Sequence, residues 1–332
     1  MSNIQVNTRD KQMNDIQTID VHSHMILPCY KEGLQKMGIV TKRKGDFPEP
    51  DWSEDAHLEF MDHAGISCSI LSLSSPHIHG GDGRLACETA RAINEEVYDI
   101  CKRHPGRLKF AATLPFPEVD GSIKEINRCY DELGAAAVKL PSSANGIYLG
   151  DSSQEPVFEE LNRRKAVVLI HPDRPKDMPE NVFTAGPAPL FEFIADTTRA
   201  VLNMIARGTL ERYPDIKVVV PHCGSFLPFV AHRMIGISRI MIPQGLMPPV
   251  DVRKAMSRLY FDVAGDALPV ALDALLKIAD PSHILYGSDY PYTPAPMILA
   301  NREKFEKYEP IQGELNAIFR ENAEKLFGGL ID

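Results

Sequence analysis

The sequence predicts an α/β protein built on a closed (β/α)8 TIM barrel. Eight short, apolar and often β-branched runs are spread along the 332 residues, with helix-like stretches between them. Several of these runs, such as VVLI, KVVV and HILY, are almost continuously apolar, as strands buried on both faces are. No Gly-rich phosphate turn follows the first run, which argues against the rival doubly wound open sheet.

The elements follow in order. Residues 1–16 read as a polar N-terminal tail, and 17–332 as a single barrel domain. The first strand is expected at Thr18–Met25. Leu27–Trp52 then makes a connection too long for a simple βα loop, with Lys42, Arg43 and Lys44 in its middle and Pro48 and Pro50 near its end. The helix Ser53–Ala64 opens with Ser-Glu-Asp, a cap and an acidic first turn. Strands at Ile66–Ser74, Leu108–Phe116 and Ala135–Ser142 alternate with helices at Leu85–Arg103, Glu118–Leu133 and Glu155–Lys165. After the strand Val167–Pro172 comes a second long connection, Asp173–Leu190, rich in Pro and Gly. The helix Phe191–Arg212, strand Lys217–His222, helix Phe226–Ile240, strand Leu259–Ala264, helix Ala267–Ala279 and strand His283–Ser288 follow. The last helix, Gln312–Phe327, stops at Gly328-Gly329. The two long connections leave strands one and five at the end where barrel enzymes work, so both are expected as lid-like insertions.

Composition narrows the function classes. A net charge of −9 with no Lys/Arg block argues against nucleic acid as a partner. No apolar run approaches the roughly 20 residues of a membrane helix. The first residues, MSNIQVNTRDKQMNDIQ, lack the apolar core of a signal peptide. The 6 cysteines are scattered at positions 29, 68, 87, 101, 129 and 223 without a CxxC pair, and read as reduced thiols of a cytoplasmic protein.

The chemistry sits at the strand ends. The first strand carries VHSHM, and residues two apart on a strand share a face, so His22 and His24 project together toward the barrel axis. That pair points to a metal. VVLIHPDRP ends strand five on His171, VVVPHCG ends strand six on His222, and ILYGSDYP places Asp289 just past strand eight. A His before Pro can merely end a strand, and an Asp after Gly-Ser can merely make an Asx turn. At one end of one barrel, all these tips can converge on a single cation.

These motifs resemble the aminocarboxymuconate-semialdehyde decarboxylase family, in the "amidohydrolase 2" branch of the amidohydrolase superfamily. Resorcylate, salicylate and 5-carboxyvanillate decarboxylases are relatives. The resemblance runs from Asp20 to ENAEKLFG (Glu321–Gly328) and includes ERYPDIKVVVPHCGSFLPF (Glu211–Phe229). It implies a mononuclear site with His22, His24, His171 and Asp289 as metal ligands and His222 as acid/base residue. Zinc is the implied metal, with manganese the alternative, and no organic cofactor is needed. The implied activity is non-oxidative decarboxylation of a small aromatic or unsaturated carboxylate, by a homodimer. Asp289 shares the catalytic role. By alignment the chain has Pro48 where the semialdehyde decarboxylase has a substrate-binding arginine. Arg174, two residues past Pro172, is the candidate carboxylate clamp.

Other readings stay open. The same centre suits a hydrolase, lactonase or hydratase, with Asp289 as general base and His222 polarising a carbonyl. A non-catalytic metal-binding protein is a third reading. Lys139, in AAAVKLPSS at the end of strand four, occupies the strand on which binuclear superfamily members carry a carboxylated, metal-bridging lysine; the other reading is a lysine paired with a carboxylate across the barrel mouth. His77 and His79, in SSPHIHGG, form a second His-x-His in a loop, and His77 is a candidate substrate contact. His57, His63, His104, His232 and His283 read as surface or helix residues without a role.

Overall fold

A computed structural model describes residues 17–39, 48–177 and 187–330. Eight strands lie side by side in chain order, each parallel to its neighbour. They are β1 (Thr18–Met25), β2 (Ile66–Leu73), β3 (Leu108–Thr113), β4 (Ala137–Pro141), β5 (Val167–His171), β6 (Lys217–Val220), β7 (Tyr260–Asp262) and β8 (Ile284–Leu285). The chain just past β8 closes the ring: Val21 N–H donates to the Tyr286 carbonyl at 3.1 Å and His24 N–H to the Tyr290 carbonyl at 2.7 Å. The expected barrel is therefore present, with every strand where the sequence places it and most of them shorter at their ends.

Alternation sorts the side chains. On β5, Val168 and Ile170 pack outward against the helices, in one large core with Phe60, Ile93, Leu161 and Val201. Val167 and Leu169 point inward and join Ile19, Cys68, Ala111 and Val219 in a second core that fills the barrel, with Phe327 of the last helix against it. His171 continues the inward row at the top of β5.

β1 breaks the alternation. Between the Asp20–Ser69 and Ser23–Leu71 pairs it carries one residue more than β2. This bulge lets Val21 join the interior core below while His22 and His24, of the opposite parity, turn inward above it.

The helices form where caps and apolar faces coincide. Ser53 Oγ accepts from Ala56 N–H at 3.2 Å, and the helix Glu54–Ala64 stops at Gly65, whose φ of 65° suits glycine. Asp82 caps the helix Gly83–Arg103 in the same way. The expected helix Phe191–Arg212 is two, Glu192–Ala206 and Thr209–Arg212, divided at Gly208 with φ 71°. Ala267–Ala279 contracts to Val270–Leu275, and the final helix opens as a π turn, Ala317–Glu321, before Asn322–Phe327. A further helix, Ala295–Lys307, and a small hairpin, Ser143–Ala144 with Ile147–Tyr148, were not anticipated. Among the described residues no helix is long and apolar enough to cross a membrane.

The first long connection holds a helix, Pro28–Lys36, that buries Tyr30 and Leu34. Lys42, Arg43 and Lys44 lie outside the described residues, as do 178–186 of the second connection and the 1–16 tail. His57 stands on a helix, one of the two placements expected for it, and is fully buried there. The six cysteines are all unpaired.

Candidate metal centre

The barrel brings four of the sequence-predicted residues to one point. One ligand atom each from His22, His24, His171 and Asp289 lies within 4.8 Å of all the others. The Nε2 atoms of His22 and His24 are 3.1 Å apart, and Asp289 Oδ1 lies 3.1 Å from His24 Nε2 and 3.6 Å from His22 Nε2. The three imidazoles are buried, whereas Asp289 keeps 18% of its side chain exposed.

The far nitrogen of each imidazole is held by the scaffold. His22 Nδ1 donates to Asp262 Oδ2 at 2.8 Å. His24 Nδ1 lies 3.3 Å from the Ser72 carbonyl, and His171 Nδ1 is 2.9 Å from the Pro172 carbonyl. Carbonyls and carboxylates only accept, so each Nδ1 carries its hydrogen and each Nε2 presents a lone pair to the shared centre.

The electrostatics complete this pattern. Burial works against charge on every group. At His22 the carboxylates of Asp262, Asp289 and Asp20 outweigh burial and raise the imidazole to about 9. His171 is held well below its ordinary value by burial and by the nearby positive groups, His24 first. Asp289 resists burial because His222, His24 and His22 stabilise its carboxylate, which stays well below the usual range. Two imidazoles held neutral, a third whose proton a cation would displace, and an ionised carboxylate make a donor set that fits a divalent cation.

His222 stands beside this set without joining it. Its Nε2 is 3.8 Å from Asp289 Oδ2, and 18% of its side chain is exposed. Both His222 and Asp289 adopt left-handed backbone, with φ of 54° and 58°. Such conformations cost energy in non-glycine residues and concentrate at functional sites. Here hydrogen bonds hold them: His222 N–H donates to Asp262 Oδ1 at 3.0 Å, and Asp289 N–H to the His22 carbonyl at 2.8 Å.

Two residues of the centre escaped the sequence reading. Asp262, at the tip of β7, binds His22 through one oxygen and the backbone of His222 through the other. An acidic residue at a strand tip, in YFDVAG, was the available signal. Asp20 accepts from His22 N–H, Ser288 N–H and Ser288 Oγ, tying β1 to the segment that bears Asp289. Of the candidate substrate contacts, His77 is buried in its loop with Nε2 2.8 Å from the Phe116 carbonyl. Arg174 is half-buried, and its N–H donates to Asp173 Oδ1 at 2.8 Å. Lys139 is buried, with Nζ 3.5 Å from the Ser74 carbonyl. His79 meets Glu118 Oε1 at 2.9 Å, away from the centre.

The amidohydrolase family model matches residues 19–329. The chain belongs to the amidohydrolase family. Within it, the 6-methylsalicylic acid decarboxylase of Penicillium expansum is 31% identical over 303 residues, covering 88% of this chain and 90% of that one. A solved amidohydrolase II structure shares 36% identity at a TM-score of 0.85, over 93% of this chain and 99% of its own. The 5-carboxyvanillate decarboxylase of Novosphingobium aromaticivorans, solved with manganese, superposes at a TM-score of 0.84 with 23% identity, over 95% and 96% of the two chains. This amidohydrolase is an enzyme, a carboxy-lyase.

Proposed function

We propose that the enzyme removes the carboxyl group, without oxidation, from a small aromatic carboxylate bearing a neighbouring hydroxyl, amino or carbonyl group. The observation that carries this reading is the division of labour at the barrel mouth. Three imidazoles and one carboxylate converge with buried, oriented donor atoms, while a fourth imidazole, His222, faces the open edge of Asp289.

His22, His24, His171 and Asp289 would hold one divalent cation, and Asp262 and the Ser72 and Pro172 carbonyls fix the ring orientations behind them. Zinc suits three imidazoles and one carboxylate, and manganese is the alternative. What such a cation supplies when bound is Lewis-acid stabilisation of charge on substrate oxygens. His222 delivers a proton to the ring carbon that bears the carboxylate, and the Asp289 carboxylate beside it orients the imidazole for that transfer. The bond to the carboxyl carbon then breaks, its electron pair returns to the ring, and carbon dioxide leaves. The protonated ring is itself the electron sink, so no organic cofactor is required. Arg174, three residues past His171, is the candidate clamp for a substrate carboxylate, and the two long connections leave β1 and β5 at the rim where lids that exclude water would stand. We also take the working unit to be a homodimer in a reducing cytoplasm; exposed Phe229, Ile240 and Leu246 offer it apolar surface.

Substitution tests the assignment. His22→Ala and Asp289→Ala protein should purify without metal, without carbon dioxide release and with a lower Tm, since bound metal stabilises the fold. His222→Ala should keep metal and Tm and lose turnover by roughly a hundredfold or more, the usual worth of a proton-transfer group. Metal-free His222→Ala protein would contradict the division of roles.

A further inference from the structure

Lys139 is buried inside the barrel mouth, 1% exposed, on the inward row of β4. Among the described residues its Nζ reaches one acceptor, the Ser74 carbonyl, at 3.5 Å. No carboxylate among the described residues lies within 4.0 Å of it. The negative charge that acts on it is that of Asp173. That carboxylate is already committed. Its Oδ1 accepts from Ser75 Oγ at 2.5 Å and from Arg174 N–H at 2.8 Å, and its Oδ2 from His77 N–H at 2.9 Å. An ammonium with three donors is thus buried with one long hydrogen bond, a costly arrangement unless something else fills it.

His77 leaves a matching vacancy. Its Nε2 lies 2.8 Å from the Phe116 carbonyl, which can only accept, so Nε2 carries the hydrogen and Nδ1 is a bare acceptor. Nδ1 is buried and has no hydrogen-bond partner among the described residues. Burial and the nearby Lys139 keep this imidazole neutral. Both groups adjoin the metal centre: Lys139 pairs with Leu169, two residues before His171 on β5, and His77 is tied through its N–H to Asp173, two residues after His171. Lys139 acts electrostatically on His171 as well as on His77. Ser74, whose carbonyl it touches, lies near Tyr292, and the Tyr292 ring is edge-on to His24 with centroids 5.5 Å apart.

We propose that Lys139 and His77 form the substrate-reading subsite of this centre. Lys139 Nζ takes an anionic oxygen of the substrate carboxylate, and His77 Nδ1 accepts hydrogen from a hydroxyl on the adjacent ring position. One cation donor and one neutral acceptor, both buried, select an ortho-hydroxy aromatic acid over its amide or its methyl ether. The inference rests on the aromatic-carboxylate reading above. It also makes Lys139 an unmodified ammonium rather than a carboxylated bridging ligand.

The probes are salicylate and salicylamide, measured by calorimetry on metal-loaded enzyme, with turnover followed separately. Wild type should bind salicylate more tightly than salicylamide. Lys139→Met should weaken salicylate by ~30-fold or more and salicylamide by less than ~3-fold, as loss of one charge-assisted contact requires. Metal content should be unchanged, and Tm should rise, because a buried unpaired cation has been replaced by an apolar chain of similar length. If that variant does not fold, Lys139→Gln reads the same ratio. His77→Leu should erase the preference for salicylate over its 2-methyl ether. An unchanged salicylate-to-salicylamide ratio in the metal-replete Lys139 variants would overturn the proposal, as would an intact mass showing a carboxyl group added at Lys139. A wild type that favours neither probe would instead sink the aromatic-carboxylate reading, and the subsite with it.

Discussion

At His22, position comes from the sequence and orientation from elsewhere. The ring faces the shared centre because Asp262, 240 residues away in the chain, holds its other nitrogen. The same carboxylate steadies the left-handed backbone of His222, so one buried residue sets both a candidate ligand and the candidate proton carrier. A second buried imidazole has a measurable consequence for stability. His57 Nδ1 accepts from Trp52 Nε1 at 3.1 Å, and burial lowers the imidazole to about 3. The folded state therefore refuses a proton that the unfolded chain takes up below about 6.5. The stability this group contributes is full above about 6.5 and is lost as pH falls toward 3. Tm measured across that window should fall with acidification, and His57→Phe should flatten the slope by about one proton. An unchanged slope would place the titration elsewhere. His22, His24, His171, His222 and Asp289 were legible because ligand-type side chains at strand tips share one end of a barrel. Asp262 and the burial of His57 were not, since each depends on partners that only tertiary packing supplies.

Among the elements, β1 does the most to build the centre. Its bulge changes which parity faces inward, and so permits an apolar plug below and two imidazoles above. The pattern VHSHM gave the correct face for the two histidines, yet the extra residue between Asp20 and Ser23 leaves no mark in hydrophobic periodicity. The seam with the segment after β8 is equally tight. A Cβ on Gly287 would stand 2.8 Å from His22 Cβ and 3.2 Å from Asp262 Cβ, so glycine is what lets the strands close at this level. Gly287→Ala should cost about 1–3 kcal/mol of stability, the range for overpacking, and weaken metal binding by pushing His22 off its position. Thermal unfolding and metal titration check this, and a variant with wild-type metal affinity would show that the seam yields. Helix ends were less legible than strands. The break at Gly208 interrupts an apolar pattern that runs on through it, and Ala295–Lys307 buries little beyond Ile298 and Phe305, so its periodicity is faint.

Over the whole molecule, the barrel gathers residues from β1, β5, β7 and the segment after β8 onto one rim. The interior below is apolar and closed by the last helix, so the polar cluster at the top is the place where a small anion finds compensating charge. An overall charge of −9 repels anions at a distance, which places the burden of recognition on cations inside the mouth. The alternative hydrolytic use of this rim predicts a different product, and that difference is the sharpest test. Metal-loaded enzyme should be given a panel of hydroxy- and aminobenzoates beside a panel of lactones and esters, with carbon dioxide release and acid release followed together. Carbon dioxide from one or more ortho-substituted benzoates, with no turnover of the neutral panel, is the result expected. Hydrolysis of lactones or esters with no carbon dioxide from any carboxylate would contradict the decarboxylase assignment.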